Sequence, residues 1–96
     1  MFYAIICTDK PDSLPLRLET RPAHRDHLKA LGDVLKIAGP FTNEDGSHMN
    51  GSLLIVEADS LEDAKAIAER DPYAKAGLFA DVQVKPWNWA IGNPDA

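Results

Sequence analysis

An α+β architecture, a four-stranded antiparallel sheet with two helices on one face, follows from three features of this 96-residue sequence. Two stretches carry apolar residues at helical spacing, and four others read as strands. Their order along the chain is strand, helix, strand, strand, helix, strand. Asp45-Gly46, between the second and third strands, is a dipeptide that closes tight hairpins, so those strands pair antiparallel. Length allows one domain, residues 1–96, and no second core.

The first strand is "FYAIICT", rich in aromatic and β-branched residues and stopped by the turn cluster "DKPDS". "LPLRLETRP" reads as a connector, with Thr20 as N-cap and Pro22 in the first turn of the helix that follows. That helix runs to about Leu35, with Leu28, Leu31 and Leu35 on its buried stripe. Gly32 weakens it by roughly 1 kcal/mol relative to alanine. "VLKIAGPF" is the second strand, its regularity broken at Gly39-Pro40 because proline cannot donate to a ladder. "GSLLIVEA" is the third. "DSLEDAKAIAERD" is the clearest helix: Ser60 caps it, Asp63 takes the capping-box position, and Leu61, Ala64, Ile67 and Ala68 face the core until Pro72 ends it. "LFADVQVKPW" alternates as a fourth strand with one wet face, and "NWAIGNPDA" is a tail.

This order is the ferredoxin-like pattern. Both helices cover one sheet face and leave the other bare. With Trp87 and Trp89 near the end of the last strand, that face is expected to meet a second copy of the chain.

Composition narrows the partners. The net charge is −5 with acids and bases interspersed, which gives no basic stripe for nucleic acid. The longest apolar run near the start, "MFYAIIC", is far too short to span a bilayer and lacks the parts of a signal peptide. The single cysteine, Cys7, lies in a strand and reads as a buried, inert thiol. A cytoplasmic protein is expected.

Chemistry has few candidates. There is no CxxC, phosphate-binding glycine loop or nucleophile elbow. His24 and His27 form a lone HxxH without a clear third ligand, so no metal is expected. His27 and His48 read as solvated. His24, however, lies on the stripe of Leu28 and Leu31, where an apolar residue belongs. Asp71 is a second anomaly: it continues the stripe of Ile67 and stands at a helix C-terminus, where the dipole disfavours an anion. Asp-Pro is also a common turn starter, which accounts for Asp71 alone. The topology sets the two helices side by side, and Asp71 can then reach the N-terminal turn of the first helix. A carboxylate there would orient the imidazole of His24 and resolve both anomalies.

Four further residues are candidates for substrate binding. Arg21 can clamp an anion or be a surface arginine; Ser52 can donate into a pocket or merely end a strand. Tyr73 and Trp87 can line a cleft or pack on the sheet.

In order, "RPAH", "AGP", "GS" before "LLIVEADSLEDAKAIAERDPYAKAGL", and "VQVKPW" resemble the YciI-like (YCII-related) family over nearly the whole chain. The resemblance implies a ferredoxin-like fold of the dimeric α/β-barrel superfamily, in which two sheets pack face to face. It also implies an active-site pair made of the histidine of "RPAH" and the aspartate of "DPY", which are His24 and Asp71. One characterised branch of the family eliminates chloride from a chlorinated hydroxyquinol without a cofactor; nothing in this sequence selects that substrate. Two readings follow. One is a small cofactor-independent enzyme with His24 as general acid and base, acting on a small polar or aromatic substrate. The other is a ligand-binding or regulatory dimer in which the pair is structural. They differ in whether the two side chains open onto a pocket.

Overall fold

The computed structural model describes residues 1–95. Its elements are β1 (Phe2–Asp9), α1 (Leu14–Leu31), a 3-10 turn (Gly32–Val34), β2 (Leu35–Thr42), β3 (Met49–Glu57), α2 (Leu61–Arg70), the short α3 (Pro72–Lys75) and β4 (Phe79–Trp87). The four strands form one sheet in the order β2-β3-β1-β4, antiparallel at every pairing. The fold is ferredoxin-like.

The core lies between one sheet face and the helices. Tyr3, Ile5 and Cys7 alternate inward along β1, and Leu54 and Val56 do so along β3. They meet Ala64, Ile67 and Ala68 of α2, with Leu28 and Leu31 of α1 packed beside them. Each such Ile or Leu contributes about 1.5–3 kcal/mol through burial. Small alanines on α2 let that helix sit close to the strands. Ser60 accepts a hydrogen bond from the Asp63 backbone N–H at 3.1 Å, so the cap of α2 is as its sequence requires.

The opposite sheet face carries Ile37, Phe41 and Trp87, each 37–43% exposed. Trp89 of the tail packs edge-on against Phe2 at 5.6 Å.

Three local expectations are corrected. α1 begins at Leu14, not after Pro22, because "LPLRLETRP" is helical. Ser13 occupies the N-cap position and Pro15 takes the early-proline position; Thr20 and Pro22 lie inside the helix. Pro22 gives up one bond to the Leu18 carbonyl, and both residues are exposed, so water can replace it. The far end also moves. Gly32 has φ +56° and ψ −128°, a conformation reserved to glycine, and it ends the helix instead of weakening it. Leu35 therefore opens β2.

Gly39-Pro40 does not interrupt β2. This strand lies at the sheet edge, and Pro40 pairs with Ser52. A proline is tolerated where one side of the strand has no ladder to serve. The register shifts fall on either side, between Leu35 and Ile37 and between Phe41 and Thr42. The β2–β3 turn has Gly46 at φ +77° beside Asp45, as the dipeptide requires.

Candidate active site

Arg17, Arg21, His24 and Leu28 follow each other on α1 at spacings that keep them on one face, and that face looks toward β3. Below them, the link between α2 and α3 carries Asp71. Here the chain turns at Asp-Pro: Asp71 ends α2 and caps α3, its Oδ1 accepting the Tyr73 backbone N–H at 3.0 Å. The same oxygen meets His24 Nδ1 at 2.8 Å. Both side chains are buried, with exposures of 11% and 5%.

A negative carboxylate accepts, so Nδ1 of a neutral His24 carries the proton. Nε2 then keeps its lone pair, and no protein group among the described residues binds it. The Tyr73 ring stacks on the imidazole at 4.0 Å between centroids and 18° between planes, which fixes the ring's tilt. His24 is therefore held by one hydrogen bond and one flat contact.

Tyr73 is itself held from further along α1. The Arg17 guanidinium lies 4.6 Å from the Tyr73 ring centroid. Its Nε donates to Asp9 Oδ2 at 2.7 Å, and Nη2 donates to Asp9 Oδ1 at 2.9 Å and to Ser52 Oγ at 2.8 Å. Burial works against the Arg17 charge, but the hydrogen bonds and charge of Asp9 outweigh it and hold its pKa above the ordinary arginine value. Burial also pushes the Tyr73 phenol up.

Of these groups, His24, Arg17, Ser52 and Tyr73 border a cavity of about 190 Å³. Asp71 stands behind His24 and outside the cavity lining, so only one member of the pair opens onto it. His24, Arg21 and Arg25 form one wall, and Ser52 and Tyr73 close the inner end. Ala38, Pro40, Met49 and Leu54 of the sheet form an apolar wall opposite. A weak base, fixed donors and an apolar wall in one concavity can bind a small molecule and move a proton on it.

Of the six residues singled out in the sequence, five come together here: His24, Asp71, Arg21, Ser52 and Tyr73. Trp87 does not. It stands at the far end of β4, 5.7 Å from Trp89, and borders a different cleft with Met1 and Phe2. Asp71 also gains its partner differently from the expectation. His24 sits in the middle of α1, so the carboxylate is capped by the Tyr73 amide of α3 and not favoured by the first turn of α1.

His27 is half-buried rather than solvated, and its Nε2 is buried without a partner. Burial depresses its pKa, opposed by the Asp71 charge and reinforced by His24, Arg70 and Lys75. His48 is exposed in the β2–β3 loop. Cys7 is 1% exposed, and burial followed by the charges of Asp71 and Asp9 pushes its thiol up to about 12. Among the described residues, no group of three or more His, Cys, Asp or Glu gathers as metal ligands, and no helix is long and apolar enough to cross a membrane.

Asp9, Arg17 and Arg25 were not singled out in the sequence. Arg17 carried a signal, since it lies seven residues before His24 and so shares its helical phase. Reading the segment as a connector hid that phase.

Comparison with known proteins places these observations in a lineage. Residues 1–88 match the YCII-related domain. Protein YciI of Escherichia coli is 45% identical over 94 residues, covering 91% of this chain and 96% of its own. A Haemophilus influenzae protein is 38% identical over the same span and coverage. Among solved structures, 5-chloro-2-hydroxyhydroquinone dehydrochlorinase from Burkholderia phenoliruptrix, in complex with 2,5-dihydroxybenzoquinone, is 37% identical with a TM-score of 0.83. That match covers 92% of this chain and 94% of the neighbour. An Agrobacterium tumefaciens protein at 23% identity and TM-score 0.56 shares the fold over 98% of each chain. With the fold and the match along most of its length in agreement, the chain belongs to the YCII-related domain family.

Proposed function

We propose that this protein is a small cofactor-independent enzyme that uses His24 and Asp71 for general acid/base chemistry, of elimination or isomerisation type, on a small polar or aromatic substrate. The observation that carries this reading is the 2.8 Å contact of Asp71 with Nδ1 of His24, whose ring lines a cavity. Nε2 takes a proton from a carbon of an enolisable substrate, and the C–H electron pair forms a C=C bond as the carbonyl pair passes to oxygen. From an enolic hydroxyl, the oxygen pair instead forms C=O and the C=C pair moves to carbon. Asp71 stabilises the imidazolium so formed. The proton then returns at another atom, which isomerises the substrate. In an elimination, the electron pair instead expels a leaving group as an anion. General acid/base assistance of this kind contributes about 10²–10⁴ in rate.

Ser52 Oγ accepts from Arg17, which leaves its hydroxyl proton for a ligand. Arg21 supplies positive charge, and Tyr73 holds the imidazole in place. Support from relatives comes from the dehydrochlorinase neighbour, whose solved complex holds a small dihydroxyquinone. The exposed Ile37, Phe41 and Trp87 support a homodimer through the outer sheet faces.

The test is proton exchange in heavy water with a panel of small ketones, ketoacids and hydroxyquinones. Wild-type protein should exchange deuterium into at least one member, and His24→Gln should slow that exchange by about 10²-fold or more. Equal rates for the two proteins would overturn the reading and leave a ligand-binding module.

A further inference from the structure

Three of the four arginines in this chain, Arg17, Arg21 and Arg25, border the cavity beside His24, and no aspartate or glutamate borders it. The chain as a whole carries −5, so the local charge is opposite to that of the molecule. We propose that the cavity selects small planar anions, held by Arg21 and Arg25 with the reacting atom at His24 Nε2. This inference rests on the acid/base reading and names the substrate class of the same site.

The three arginines are not equivalent. Arg17 is 3% exposed and bound through two nitrogens to Asp9, so its charge is already matched. Arg21 and Arg25 have no carboxylate within ion-pair distance among the described residues. They stand four residues apart on α1, where like charges repel each other. The acid buried beside the site, Asp71, is engaged by His24 and by the Tyr73 amide. Arg21 is half-buried and Arg25 exposed, so an anion in the cavity meets two guanidiniums that no carboxylate among the described residues already holds.

The opposite wall explains the planar body. Ala38, Pro40 and Leu54 present an apolar surface across from the arginines. A flat ligand of about one ring fits between them in a cavity of about 190 Å³, with its charged edge toward the guanidinium forks. Carboxylates, phenolates and acidic hydroxyquinones have this form.

The charge also serves the reaction. When Nε2 takes a proton from such an anion, the electron pair left behind moves onto an oxygen and adds a second negative charge to the ligand. Arg21, Arg25 and the new imidazolium surround that charge without rearranging. A neutral ligand would use only part of this field.

Benzoate and benzamide, nearly identical in shape and different in charge, test the selection. Calorimetric titration, with the His24 imidazole resonances read in parallel by NMR, should show benzoate binding at least about tenfold more tightly than benzamide. Added salt should narrow that gap. Replacing Arg21→Gln and Arg25→Gln together should abolish it, whereas Arg70→Gln, which alters the remaining arginine outside the cavity, should preserve it. The inference is overturned if benzamide binds as well as benzoate, if benzoate fails to bind at roughly 10 mM, or if the double variant still discriminates. The two readings fail separately. Charge selection without proton exchange in any ligand removes the acid/base function alone, and exchange confined to neutral ketones removes the anion class alone.

Discussion

His24 and Asp71 were legible from the sequence because each was out of character, a polar residue in phase with an apolar stripe. Their environment was less so. His27 looked solvated because helical phase alone cannot show that the α2–α3 corner, which holds His24, also reaches His27 one turn further along. Its buried Nε2 and depressed pKa have a consequence for stability. The folded protein binds the His27 proton less readily than the unfolded chain. Its contribution is thus present above the unfolded value of about 6.5 and is lost as pH falls through the folded value. Urea denaturation at neutral pH and near pH 5 should show wild type losing more stability on acidification than His27→Gln; parallel losses would contradict this. Arg17 gives a second expectation. Arg17→Met leaves the Asp9 carboxylate buried and unpaired, at a cost of about 3–5 kcal/mol. Adding Asp9→Asn should recover part of the loss, and a single-variant loss under about 1 kcal/mol would show that the pair is not desolvated.

Among the elements, α2 and β4 were readable almost residue by residue, because caps, prolines and alternation agreed there. α1 was not, and one proline caused the error. Pro15 and Pro22 both stand where a helix can begin, and the buried bonds of Arg17 to Asp9 and Ser52 favour the earlier start. β2 misled for a related reason: a proline that would break a central strand sits harmlessly at an edge. The β1–β3 contact depends on a glycine. A Cβ at Gly51 would stand 2.5 Å from the Cys7 carbonyl oxygen and 3.1 Å from the Phe41 ring. Gly51→Ala must push β1 and β3 apart next to Ser52, and should cost about 1–3 kcal/mol in chemical denaturation. An unchanged unfolding midpoint would mean that the strands yield freely.

For the whole molecule, the topology was legible while the occupant of the outer face was not, since alternation shows that a face is apolar without showing what covers it. Ile37, Phe41 and Trp87 lead us to expect a dimer. Light scattering should give twice the chain mass at micromolar concentration, and a stable monomer at high concentration would contradict the sheet-to-sheet pairing. The same topology joins residues 47 positions apart, His24 and Asp71, into one hydrogen-bonded pair. Nitrogen-15 NMR of the imidazoles at about pH 8, above the ordinary histidine range, reads that pair directly. The wild-type protein should hold the His24 proton on Nδ1 and a free lone pair on Nε2, and Asp71→Ala should release the ring to the opposite tautomer. A proton found on Nε2 in the wild type, or a tautomer indifferent to Asp71, would contradict the proposed acid/base site.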